Sequence, residues 1–277
     1  MVPDKYNLIG KTALITGAAG LLGREHAAAL LESGATVVLT DISKTALNAA
    51  CLELSKNFGQ DKVLTVLMDV SKLTEIRSCA KSLCSAGVRI DVLVNNAAVD
   101  PKVMSGDSSI ENSRLETFSL KQWDQELAVG LTGAFLCSQV FGTLMAKDEL
   151  GGVILNVASD LSVFSPDQRL YRNEDLPDDL QSVKPVTYSV IKTGLIGLTR
   201  YLATYWADKG VRCNALSPGG VFNGQSDDFT HRLSSLVPLG RMADRDEYRS
   251  AMQFLCSDAS AYMNGQNLVI DGGRSIW

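Results

Sequence analysis

The sequence predicts a single α/β domain of Rossmann type: a doubly wound parallel sheet of about seven strands flanked by helices. Three observations predict it. Short β-like runs alternate with helix-length stretches along a chain of 277 residues. The β-like runs are continuously apolar rather than alternating, the pattern of strands covered by helices on both faces. A glycine-rich turn joins the first strand to the first helix, where backbone N–H groups and the helix dipole suit a phosphate.

The elements follow in order. TALIT (12–16) reads as the first strand, with a helix over 21–33. ATVVLT (35–40) is the second, with a helix over 45–58. VLTVLM (63–68) is the third, with a helix from about 73 to 86, and IDVLVN (90–95) is the fourth. A loop and a long helix from about 121 to 147 follow. GVILNVA (152–158) is the fifth strand, 188–209 a second long helix, VRCNAL (211–216) the sixth strand and NLVI (267–270) the last. This alternation is the doubly wound signature. With no repeat, linker or low-complexity tract, 1–277 reads as one domain. Two segments break the rhythm: a polar insertion at 163–186 with three prolines, and 219–240, rich in glycine, serine and aspartate. Long irregular stretches of this kind act as binding loops or lids.

Composition narrows the function. The chain is 45% hydrophobic and 21% charged, with a net charge of −5 and no long run of one sign. Nucleic acid and anionic membrane surfaces are therefore not expected partners. Six scattered cysteines form no C-x-x-C pair, and with two histidines no zinc spacing exists, so no metal site is expected. Buried reduced thiols, no signal peptide and no run of about 18 apolar residues point to a cytoplasmic protein outside the membrane.

TGAAGLLG (16–23) supplies the phosphate turn through Gly17, Gly20 and Gly23. Such a turn alone is weak, since it also serves as a plain tight turn. Its place between strand and helix, with Asp41 ending the second strand, strengthens the dinucleotide reading. Asp41 could equally cap the next helix. As a ribose ligand it would accept from the 2′-hydroxyl and repel a 2′-phosphate, which favours NAD over NADP.

TYSVIKTG (187–194) places Tyr188 and Lys192 four residues apart on one helix face. A free tyrosine titrates at about 10. A neighbouring ammonium favours the phenolate, which could then exchange a proton with a carbinol oxygen beside a hydride acceptor. A lone Y-x-x-x-K pair is common on helix surfaces. Here, however, TGAAGLLG, Asp41, the Asp69–Val70 pair, NNAA (95–98), Ser159, Tyr188 with Lys192, and SPGG (217–220) occur in order from about residue 8 to 274. In this the chain resembles the short-chain dehydrogenase/reductase family, in its compact NAD-type branch.

The resemblance implies roles. Tyr188 would be the catalytic acid/base, Lys192 would hold the nicotinamide ribose and lower the tyrosine pKa, and Ser159 would hydrogen-bond the substrate oxygen. Gly17, Gly20, Leu22, Gly23 and Asp41 would hold pyrophosphate and ribose. Asp69 and Val70 would contact adenine, Asn95 and Ala97 would line the cofactor path, and Pro218, Gly219 and Val221 would pack near the nicotinamide. As in the family, the apolar stripes of the two long helices suggest a homotetramer or homodimer.

The departures are specific. The glycines are spaced T-G-x-x-G-x-x-G, which resembles the family's extended branch of epimerases and dehydratases, although GQNLVIDGG (265–273) resembles the compact one. Asn223 stands where a threonine is usual. The 163–186 insertion, with Arg169, Arg172 and Lys184 beside Glu174, Asp175, Asp178 and Asp179, is either a solvated loop or a wall favouring a polar or anionic substrate. The insertion and the following helix also resemble the bacterial flagellin modification protein A-like subgroup, which implies a sugar or nucleotide-sugar substrate of surface-glycan synthesis. In ELAVGLTGAF (126–135), Gly130 replaces the asparagine that the family counts as a fourth catalytic residue. A glycine there permits a bend and keeps its own carbonyl.

The expected function is NAD-dependent interconversion of a secondary alcohol and a ketone on a small polar substrate: a sugar, polyol or nucleotide sugar. Two alternatives stay open: an epimerase or dehydratase with tightly bound NAD, and a non-catalytic NAD-binding regulatory protein.

Overall fold

The computed structural model describes residues 4–99 and 113–277. Seven parallel strands form one sheet in the order β3-β2-β1-β4-β5-β6-β7. They are β1 (Thr12–Thr16), β2 (Thr36–Asp41), β3 (Val63–Leu67), β4 (Val92–Asn95), β5 (Gly152–Val157), β6 (Val211–Pro218) and β7 (Asn267–Ile270). The helices are α1 (Leu21–Glu32), α2 (Lys44–Phe58), α3 (Leu73–Ser85), α4 (Leu120–Lys147), α5 (Val186–Tyr205), α6 (Asp227–Ser235) and α7 (Arg249–Cys256). Residues 100–112, within the loop expected after β4, lie outside the described residues.

The continuously apolar strands follow from two-sided burial. In β1, Ala13 and Ile15 face a core shared with α1, α2 and α7, while Leu14 faces the opposite core of α3, α4 and α5. Every residue of β4 is buried, whereas the edge strands β3 and β7 are half-exposed. Ser43, Ser119 and Ser226 cap α2, α4 and α6 by accepting from backbone N–H groups three residues on. All six cysteines are free thiols, and burial pushes Cys79 up to about 11 and Cys137 to about 12.

Four elements differ from expectation. Residues 219–240 are not all irregular, because they contain α6; α7 was also unforeseen. The insertion 163–186 is ordered around two 3-10 turns, Gln168–Tyr171 and Asp178–Leu180. Most relevant to function, α4 is not a plain α-helix. It widens into π-helical turns at Ala128–Thr132 and Ser138–Gly142, a distortion frequent beside functional sites. The length and apolar character of α4 would also suit a membrane span, but here it packs on α3, α5 and the sheet.

The strand order reverses between β1 and β4. In open α/β sheets, ligands bind at the carboxyl ends of strands beside such a switch point.

Candidate active site

A cavity of about 470 Å³ opens at the carboxyl ends of the strands. Its wall takes Gly17 from the turn after β1, Asp41 from the end of β2, Asn96 from beyond β4, Ser159 from beyond β5 and Pro218 from the end of β6. Tyr188 and Lys192 of α5 complete it.

The glycines at the phosphate turn are there for space. Gly17 has φ +61, and a Cβ on it would stand 2.8 Å from the Ala97 backbone; one on Gly23 would meet the Gly17 carbonyl at 2.4 Å. The turn opens α1 at Gly20 with no side-chain cap, so the first N–H groups of the helix keep no side-chain acceptor there. Thr16 fastens the turn to the strand beyond: its Oγ1 accepts from Asn96 N and Ala97 N, both at 3.0 Å. Asp41 accepts from Ala19 N at 3.2 Å on one oxygen and from Ser43 N at 3.0 Å on the other. A carboxylate has about four acceptor sites, so capacity for a ribose diol remains. Bare helix N-terminus, close-packed glycines and strand-end carboxylate together fit a dinucleotide.

At the other end, Ser159 Oγ donates to Asp160 Oδ1 at 2.8 Å and accepts from Leu161 N at 3.3 Å. Asp160 is buried and pairs with Arg274 Nη1 at 3.2 Å, and Arg274 lies over the Phe164 ring at 4.9 Å. Burial raises the Asp160 pKa, against the pull of Ser159 and Arg274. Lys192 Nζ donates to Val157 O at 2.9 Å, which docks it at the end of β5. The hydroxyl of Thr187, the residue before Tyr188, donates to buried Glu126 of α4. Lys192 Nζ stands 5.7 Å from the Tyr188 ring centre and Lys184 Nζ only 3.7 Å.

Of the expected residues, Ser159, Tyr188, Lys192, Gly17, Gly20, Leu22, Gly23, Asp41, Pro218, Gly219 and Val221 all line the cavity, as does Asn223. Asp69, Val70, Asn95 and Ala97 do not. The Asp69 carboxylate is turned into its own loop, accepting from the backbone N and hydroxyl of Ser71. Val70 packs against Gly133. Asn95 is buried and donates to Ser138 and Asn156, within a polar chain that continues to Thr199 of α5. Its neighbours Asn96 and Ala98 take the wall positions. Arg169 and Arg172 also miss the cavity: Arg169 is 86% exposed and pairs with Asp167, and exposed Arg172 pairs with Asp178. Among the described residues, the cations on the wall are Lys184, Lys192 and Arg274.

The insertion and the 219–240 segment meet at the cavity wall. Leu170, Leu233 and Met242 form one buried cluster, with the Tyr171 and Phe229 rings 5.6 Å apart. Arg232 of α6 donates to the Arg172 carbonyl at 2.7 Å, which ties the two segments.

The glycine turn at the end of β1 and the strand order are those of a dinucleotide-binding fold, and comparison with known proteins gives the family. The short chain dehydrogenase profile matches residues 11–171, and an Enoyl-(Acyl carrier protein) reductase profile matches 181–275. The chain therefore belongs to the short-chain dehydrogenase/reductase family of NAD(P)-dependent enzymes. It is similar to a D-threitol dehydrogenase of Mycolicibacterium smegmatis, 33% identical over 98% of this chain and 95% of the relative. It is also similar to an NAD-dependent glycerol dehydrogenase of Listeria innocua, 29% identical over 98% and 96%. Among solved structures it resembles a gluconate 5-dehydrogenase from Burkholderia cenocepacia in complex with NADP and tartrate, with a TM-score of 0.82 at 26% identity, covering 98% of each chain. A short chain dehydrogenase from Leptospira borgpetersenii with bound NAD+ gives a TM-score of 0.82 at 30% identity, covering 100% of this chain and 97% of the other.

Proposed function

We propose that this protein is an NAD-dependent dehydrogenase that interconverts a secondary alcohol and a ketone on a polyol or sugar-derived substrate. One observation carries the reading: Ser159, Tyr188 and Lys192 share a cavity wall with the Asp41 carboxylate. The first three are the groups that alcohol oxidation needs, and the fourth repels a 2′-phosphate. The relatives that act on threitol and glycerol support the substrate class.

In this reading Gly17, Gly20, Gly23 and the α1 N-terminus hold the pyrophosphate, Asp41 the adenosine ribose, Lys192 the nicotinamide ribose, and Pro218, Gly219 and Val221 the nicotinamide. The bound NAD supplies a hydride acceptor. Tyr188, as phenolate, takes the proton of the substrate hydroxyl while the carbinol C–H bond breaks, and Ser159 fixes the reacting oxygen. Lys192 keeps the phenolate accessible near neutral pH. The apolar cluster of Leu170, Leu233 and Met242 limits water at the reacting carbon.

The test is kcat/KM over threitol, glycerol, sugar acids and nucleotide sugars, with NAD against NADP. Nucleotide sugars belong in the panel because of the insertion's resemblance to flagellin modification protein A. Turnover of a polyhydroxylated substrate with an NAD preference, lost by roughly 10²-fold or more in Tyr188→Phe, is expected. A clear NADP preference would refute the cofactor assignment. Protein that carries bound NAD and turns substrate over without net NADH would be an epimerase or dehydratase. NAD binding with no turnover on the whole panel would make it a regulatory binder. The exposed apolar side chains Phe135, Tyr201 and Tyr205 support a homotetramer or homodimer, which light scattering on the eluting protein tests.

A further inference from the structure

We propose that Lys184, delivered by the 163–186 insertion, is a second cationic positioning residue for the Tyr188 hydroxyl, acting beside Lys192 to hold the phenol in its ionised form. The inference rests on the reading of Tyr188 as the acid/base.

The geometry comes first. Lys184 Nζ stands 3.7 Å from the centre of the Tyr188 ring, closer than Lys192 Nζ at 5.7 Å. Both lysines line the cavity. An ammonium over an aromatic face is attracted by the ring's quadrupole. An ionised ring carries a full negative charge, so the same ammonium favours the phenolate more strongly.

The placement is built rather than incidental. Lys184 precedes Tyr188 by four residues but lies ahead of α5, so it approaches from the loop and not along the helix face. Gln168 clasps its backbone: Oε1 accepts from Lys184 N at 2.8 Å and Nε2 donates to Lys184 O at 3.5 Å. Ser113 Oγ accepts from Val183 N at 2.9 Å. Pro185, with its fixed φ, then starts the helix. The 3-10 turn that supplies Gln168 also supplies Leu170 to the apolar cluster. The insertion thus does two things at once: it meets the 219–240 segment at the cavity wall and sets a cation on the tyrosine.

Among the described residues, other titratable groups near the site are placed differently. Tyr171 and Asp160 with Arg274 share the cavity wall, and the latter two neutralise each other. Glu126, on α4, accepts from the Thr187 hydroxyl. Asp41 lies at the cofactor end. Lys184 and Lys192 are thus the two ammonium groups set against the Tyr188 ring.

The test titrates Tyr188 directly. Protein with [13Cζ]tyrosine is saturated with NAD, the Tyr188 signal is assigned from Tyr188→Phe, and its pH midpoint is read in wild type, Lys184→Met, Lys184→Gln and Lys184→Arg. The neutral variants should titrate roughly one pH unit higher, about a tenfold loss of phenolate at neutral pH. Lys184→Arg should keep the wild-type midpoint, and the acid limb of kcat/KM should move with the resonance. A Tyr188 midpoint unchanged in whichever neutral variant retains wild-type NAD affinity overturns the proposal. The resonance needs no substrate, so a wrong substrate class shows as absent turnover with the midpoint shift intact.

Discussion

A Cβ on Gly130 would stand 2.8 Å from Cγ2 of Ile191, the residue before Lys192. The glycine thus lets α5 approach α4 at its π-helical turn, one residue from the lysine of the site. The contact is reciprocal, since a Cβ on Gly194 would meet Leu131 at 3.0 Å. The helix is π-helical rather than plainly α-helical at this point, and close packing is a reason for the missing side chain. Cγ2 is attached at the branched β-carbon, so Ile191 cannot swing it away without leaving its rotamer. Restoring the family asparagine with Gly130→Asn should cost about 1–3 kcal/mol in urea unfolding. Gly130→Asn with Ile191→Ala should cost less than the sum of the two single changes, because the pair is in contact. Additive costs would show that the two side chains do not compete for one space.

The Asp160–Arg274 pair supports Ser159 from the C-terminal segment. Removing one partner of a buried pair strands the other charge. Arg274→Met should lower stability by about 3 kcal/mol at pH 7. Asp160→Asn combined with Arg274→Met should recover part of that loss. The single variant should also lose kcat/KM, because Asp160 is the acceptor that sets the Ser159 hydroxyl. Wild-type stability in Arg274→Met would remove the pair from any structural role.

The parts of the site fixed by local sequence were the legible ones. β1, β2, β4, β5 and β6 are buried on both faces, so their apolar runs announced both the strands and the sheet. Gly17, Gly20, Gly23 and Asp41 sit at strand ends, where the turn itself dictates residue type. Asn95 and Asn96 show the limit: at a strand end, neighbours point opposite ways, and spacing alone does not say which one reaches the cavity. Arg169 and Arg172 were indistinguishable from Lys184 by charge, but Asp167 and Asp178 hold the arginines outward. Arg274 meets Asp160 across 114 positions of chain, a pairing no local pattern carries. The first π-turn of α4 packs against α5 and the second against α3 and the sheet, and neither had a signal in the sequence beyond its glycine.

Asp41 makes a prediction about cofactor binding that does not depend on substrate. Its carboxylate organises the Ala19 and Ser43 amides and faces the cavity. Asp41→Ala should weaken NAD binding by roughly 10- to 100-fold, the worth of hydrogen bonds to a charged group, and should narrow the gap between NAD and NADP. Fluorescence titration with both reduced cofactors reads this. An unchanged NADH dissociation constant would place the ribose elsewhere.

His26 gives the chain an acid limit on stability. It lies in α1 within the core, fully buried, and neither ring nitrogen has a hydrogen-bond partner among the described residues. Burial lowers its pKa from 6.5 to about 3. The folded protein therefore keeps the ring neutral while the unfolded chain takes up a proton below 6.5, so stability falls as pH falls through that window and levels off near the folded value. The full linkage amounts to about 5 kcal/mol, of which about 2 kcal/mol develops by pH 5. His26→Leu removes the titrating ring and two unsatisfied nitrogens while keeping an apolar side chain in the space. It should be at least as stable as wild type at pH 7.5, and its urea midpoint should fall less between pH 7.5 and pH 5. Parallel losses in the two proteins over that range would show that other groups set the acid limit.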